Sequence, residues 1–156
     1  MAMTMVEAFR SFIPPVRIVA TDIDTHVLAQ AQDGDYAIDR VSRMPAERVK
    51  QFFQTGADSG HARVRQELKN MIAFRQLNLL DERWQIGGPF DAIFCRNVMI
   101  YFDRPTQYKV LAKFARLLTP DGLLFARHSE SFFHAADLFR LRGKTVYELA
   151  QKKPGE

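Results

Sequence analysis

Cysteine is nearly absent from this chain. The single Cys95 excludes an internal disulfide and any zinc site built on cysteines. His26, His61 and His134 are scattered and show no metal-ligand spacing. No apolar run approaches the roughly 18 residues of a membrane-spanning helix. The N-terminus, Met1 to Glu7, carries an acid early and lacks a basic start before a long apolar core, so it is a poor signal peptide. A cytoplasmic location is the default expectation. A glycine-rich G-x-G-x-x-G turn is missing, and nothing before residue 16 reads as a strand followed by G-x-G. There is no G-x-S-x-G elbow either. His128-Ser129-Glu130 are consecutive, whereas triad partners meet across a fold, so a loop is expected there rather than a hydrolase site. Repeats and low-complexity tracts are also lacking.

What the chain does have is a soluble, single-domain composition. Its 156 residues are 47% hydrophobic and 26% charged. The net charge is +4. Residues 36–76 carry this whole excess, with eight Arg and Lys against four Asp and Glu. A basic segment can steer an acidic partner. Stacking aromatics are not interleaved with it, so nucleic acid is not an expected partner.

Periodicity organises the rest. Met5, Phe9, Phe12 and Ile13 predict a helix over 2–13, stopped by Pro14-Pro15. Val16 to Thr21 predicts a buried strand ending in Asp22. A helix through Ala31 should follow, with Thr25 or Asp24 at its start and Gly34 just past its end. Residues 45–53 predict a short helix, and 63–68 and 71–77 predict strands, the second leading to Asn78. Phe90 to Cys95 predicts another buried strand. Pro105 to Leu118 predicts a helix, 119–122 a turn and 123–126 a strand. Residues 138–141 and 145–149 predict an antiparallel hairpin around Arg142-Gly143-Lys144. Strands alternating with helices imply an α/β fold with a mostly parallel, doubly wound sheet. Residues 36–76 read as an inserted small lobe within one domain over 1–156.

Polar residues stand where the strands end. In open α/β sheets that edge binds ligands. Asp22 could accept ribose hydroxyls or cap a helix. Asn78 could meet an adenine edge, with Leu79 on its face, or serve only as a turn residue. Arg96 could hold a carboxylate with its planar fork of donors, or be a surface cation. Tyr101 could donate to a substrate oxygen, or be a half-buried core residue.

Together these segments resemble one family. Ala20-Thr21-Asp22-Ile23-Asp24-Thr25, Asn78-Leu79-Leu80, Pro89 through Cys95-Arg96-Asn97-Val98-Met99-Ile100-Tyr101-Phe102, and Asp121-Gly122-Leu123-Leu124-Phe125 with His128-Ser129-Glu130 resemble the chemotaxis-receptor methyltransferases, the CheR family. The likeness runs from about residue 2 to residue 150. It implies the Rossmann-like fold of class I SAM-dependent methyltransferases, with S-adenosyl-L-methionine as cofactor and S-adenosyl-L-homocysteine as product. It implies methyl esterification of glutamates on the cytoplasmic domain of methyl-accepting chemotaxis receptors. By the same likeness Asp22 holds the ribose, Asn78 and Leu79 border the adenine, Arg96 and Asn97 line the pocket, and Tyr101 lies near the methyl group. Asp22, Asn78, Arg96 and Asn97 are expected to converge on one crevice. Residues 36–76 would be the small β-subdomain that the family inserts into the sheet, and that in some members docks on the receptor.

Two departures from the family set further expectations. The family's first sheet strand and cofactor loop have no counterpart here; that strand is expected between 16–21 and 90–95. Weak cofactor binding and little activity follow, and a second copy could cover the exposed edges. A non-catalytic docking or regulatory module is the competing expectation. A nicotinamide dehydrogenase is disfavoured by the missing glycines and by Arg96-Asn97-Val98. The second departure is Arg127, where the family is expected to have Gly. It would crowd the site or point outward.

Overall fold

The computed structural model describes residues 1–55, 60–127 and 132–150. They form two compact units, Met1–Asn78 and the chain from Leu79 onward. Each has its own buried cluster.

The first unit opens with α1 (Ala2–Phe9), shorter than the expected 2–13. Arg10 ends it by taking a left-handed φ of 50°, and its N–H closes onto Glu7 and Val6 carbonyls. β1 (Ile18–Asp22) leads to α2 (Thr25–Asp33). Asp24, not Thr25, is the N-cap, accepting the N–H groups of His26 at 2.7 Å and Val27 at 3.4 Å. Gly34 ends α2 at φ 67°, a conformation that favours glycine.

Next come β2 (Asp35–Ala37), α3 (Ile38–Val41), α4 (Ala46–Phe52), β3 (Phe53–Thr55) and β4 (His61–Val64). The three strands form a small antiparallel sheet in the order β2-β4-β3. The expected strand over 63–68 is half wrong. β4 stops at Val64, and Gln66–Asn70 is a helix, α5. Glu67 occupies its first turn and Leu68 faces the core. β5 (Ile72–Gln76) leaves the small sheet and pairs parallel with β1, from Ile18 opposite Ile72 to Asp22 opposite Gln76. Phe52, Leu68, Val6 and Ala62 centre this unit's core.

In the second unit, β6 (Phe90–Phe94) pairs parallel with β7 (Leu118–Phe125). Between them runs α6 (Arg104–Leu117), capped by Asp103, which accepts the Thr106 N–H at 2.9 Å. Val110, Leu111 and Phe114 are its buried face. The turn expected at 119–122 is a bulge in β7, where the register to β6 shifts. Gly122 allows the approach there. A Cβ on it would lie 2.9 Å from the Phe90 carbonyl oxygen. β8 (Phe139–Gly143) and β9 (Val146–Leu149) form the expected hairpin, and the sheet runs β6-β7-β9-β8.

The chain is therefore α/β, with parallel pairs β1–β5 and β6–β7 and added antiparallel strands. Among the described residues β1 pairs only with β5, and β6 only with β7. β6 is consequently not the buried strand its apolar run suggests: Asp91, Ala92 and Phe94 are exposed.

Candidate functional site

Parallel strands gather ligand-binding residues at their carboxyl ends. In the first unit, that end of β1 carries the half-buried Asp22. Its Oδ1 accepts the Asp24 N–H at 3.0 Å. Its backbone carbonyl accepts the Leu77 N–H at 2.9 Å, and Gln76 Nε2 donates to the Ile23 carbonyl at 3.1 Å. The loop after β1 is thus pinned by the residues that end β5. Asn78 follows, half-buried. Asp24 serves as the cap of α2, and Asp22 does not.

The second unit also has polar residues at the carboxyl end of a parallel strand. The buried Cys95 donates its backbone N–H to the Phe125 carbonyl at 3.0 Å, carrying the β6–β7 ladder one residue further. Arg96 and Asn97 then emerge into solvent. Asn97 takes a left-handed φ of 63°, which Asn tolerates better than most residues. Arg127, two residues past β7, reaches it: Nη1 donates to Asn97 Oδ1 at 2.9 Å. Arg127 is therefore exposed and engaged with Asn97. Tyr101 is 80% exposed, which excludes the half-buried core role. It closes a 3-10 turn over Met99–Tyr101, with Met99 fully buried beneath. Gln107 Nε2 holds this turn by donating to the Met99 and Phe102 carbonyls at 2.9 and 3.0 Å. Leu79 packs against the second core, and its carbonyl accepts from Lys113 Nζ.

Asp22 and Asn78 thus belong to the first unit, and Leu79, Arg96, Asn97 and Tyr101 to the second. Sequence reasoning missed the supporting residues Gln76, Gln107 and, as a partner of Asn97, Arg127. Their bonds reach backbone or side chains that only tertiary structure brings near. His128-Ser129-Glu130 lie outside the described residues. No group of three or more His, Cys, Asp or Glu among the described residues could hold a metal.

Part of the basic segment's charge is used internally. Arg48 pairs with Glu7 at 2.7 Å, and Arg63 with Asp35 at 3.1 Å. Hydrogen bonds from Arg63 and then His61 hold the Asp35 carboxyl below its usual range. Arg40 and Arg43 instead line a groove of about 920 Å³ whose walls include Met3, Tyr36, Leu68 and Ile72.

The end of β1 fits a ribose hydroxyl. Asp22 keeps Oδ2 without a partner among the described residues, as a ribose hydroxyl requires. An α/β chain whose parallel strands end in polar residues belongs, by class, with the open-sheet ligand-binding domains. Known proteins make the class specific. Residues 1–148 match the family described as CheR methyltransferase, SAM binding domain. The chain belongs to that family of methyltransferases, whose cofactor is S-adenosylmethionine.

Chemotaxis protein methyltransferase 2 of Pseudomonas aeruginosa is 55% identical over 151 residues, covering 96% of this chain and 54% of that protein. The chemotaxis protein methyltransferases of Escherichia coli and Salmonella typhimurium are 47% and 46% identical, covering 96% and 97% of this chain and 53% and 54% of theirs. The chain spans about half the length of the curated relatives it matches. Among solved structures, the glycopeptide N-methyltransferase MtfA complexed with S-adenosyl-L-methionine covers 81% of this chain and 41% of its own, at 16% identity and a TM-score of 0.44. Among the described residues no helix is long and apolar enough to cross a membrane.

Proposed function

We propose that this chain serves the S-adenosylmethionine-dependent methyl esterification of glutamate side chains on the cytoplasmic domain of chemotaxis receptors. Membership of the CheR family over residues 1–148 is the observation that carries this reading. The relatives' names supply the chemotaxis context.

The likeness to the family suggests a role for each residue, and its setting is compatible with it. Asp22, with Oδ1 committed to the Asp24 N–H, offers its second oxygen to ribose hydroxyls. Asn78 and Leu79 border the adenine. Arg96 and Asn97 line the cofactor and substrate pocket at the end of β6. Tyr101, exposed on a turn anchored by Met99 and Gln107, is free to donate its hydroxyl to a substrate oxygen. When bound, S-adenosylmethionine supplies an activated methyl group. A glutamate carboxylate is already ionised at neutral pH. The protein therefore needs no strong base, and its residues act by orienting the carboxylate and excluding water. The exposed Arg40 and Arg43 suit an acidic receptor surface.

Titration with S-adenosylhomocysteine, followed by radiolabelled methyl transfer to receptor fragments, tests this. Binding weaker than micromolar is expected, because β1 and β6 each keep an edge with no strand on it among the described residues. Asp22→Asn should weaken binding about tenfold, as expected for a lost hydrogen bond to a charged group. Unchanged affinity in that variant would remove Asp22 from the site. Receptor binding without transfer would favour a docking role instead.

A further inference from the structure

We propose that Arg127 is a positioning residue, which sets the Asn97 side chain so that its amide NH2 faces a carboxylate at the end of β6. This rests on the reading of Asn97 as a ligand-facing residue.

Three observations lead there. First, Arg127 Nη1 donates to Asn97 Oδ1 at 2.9 Å, across the ends of two adjacent parallel strands. A guanidinium has donors and no acceptor. Only the oxygen of the Asn97 amide can face it, so the usual ambiguity between amide oxygen and nitrogen does not arise. Second, Asn97 sits at φ 63° and is exposed, three residues past the end of β6, where the Arg127 bond fixes its amide. Third, Asn97 Nδ2 donates to nothing among the described residues. A presented NH2 selects an acceptor oxygen. With the Arg96 guanidinium exposed on the neighbouring residue, a carboxylate oxygen is the acceptor favoured.

Two sources offer that group: the amino-acid end of the cofactor and the side chain of the methyl-accepting glutamate. NMR on the full 15N-labelled chain separates them. Asn97→Asp assigns the Asn97 side-chain NH2 signals by removing them. In the unsubstituted chain these signals should move with S-adenosylhomocysteine or with N-acetylglutamate methylamide, whichever brings the carboxylate. They should not move with 5′-methylthioadenosine, which lacks one. Arg127→Met should alter the free-state NH2 signals and weaken the carboxylate response about tenfold. Arg127→Lys, which keeps a cationic donor, should recover part of it. Backbone signals away from the strand ends report that each variant is folded.

Unaltered Asn97 NH2 signals in Arg127→Met, or an unweakened carboxylate response, would overturn the inference. If no probe moves Asn97 in the unsubstituted chain, the ligand-facing reading and the carboxylate role fail together. The free-state comparison then still decides whether Arg127 orients the amide.

Discussion

β6 and β7 lie side by side, run parallel and share an apolar composition, yet only β7 contributes heavily to the core. Leu118, Gly122 and Leu124 are buried in β7. In β6, Phe94 is 49% exposed and Ala92 is exposed as well. The difference lies in their neighbours. β7 has β6 on one edge and β9 on the other, and its Leu118 and Leu124 share a buried cluster with the apolar face of α6. β6 has one strand partner among the described residues. An apolar run therefore states what a strand can bury, and the strand's place in the sheet decides what it does bury.

Truncations should expose this contrast. Leu124→Ala empties a fully buried position and should cost about 3 kcal/mol of unfolding free energy. Phe94→Ala removes a half-exposed ring stacked on Phe125 at 4.3 Å and should cost about 1 kcal/mol. Urea titrations followed by far-ultraviolet circular dichroism measure both. Equal losses would mean that β6 is covered by something on its open edge.

The smallest effect concerns the cap of α6, the helix between these strands. Thr106, with its hydroxyl first and its backbone N–H second, holds the Asp103 carboxyl below its usual value of 3.8. A group lowered on folding adds stability above its unfolded value and loses it as pH falls through the folded one. Asp103→Asn keeps a good cap but cannot titrate. The parent chain should melt slightly higher than the variant at neutral pH. That margin should vanish well below pH 3.8, as read by thermal melts across a pH series.

The same distinction explains what could be read from the residues alone. Local signals placed β1, Gly34, α6 and the terminal hairpin, because each is fixed by its own periodicity or cap. But β1, like β6, is not the buried strand its composition suggests: none of its residues is buried and Val19 is exposed. Local signals failed at 63–68, where Val64 ends a strand and Gln66 begins a helix with only Arg65 between. They also failed to assign the start of α2 to Asp24 rather than Thr25, since both residue types cap well. Asp22, Asn78, Arg96 and Asn97 could be picked out as candidates because they follow apolar strands. The partnership of Arg127 with Asn97 could not, because 30 residues separate them and only the parallel pairing of β6 and β7 brings them together.

The chain's single tryptophan has a practical consequence. Trp84 tilts against Phe114 at 5.3 Å, with Lys113 Nζ 4.9 Å from its ring. All three lie beyond Asn78, and Trp84 packs on the second hydrophobic cluster. Emission excited at the indole is thus a natural fluorescent label for one half of the molecule. Loosening around α6 can be watched optically without attaching a dye.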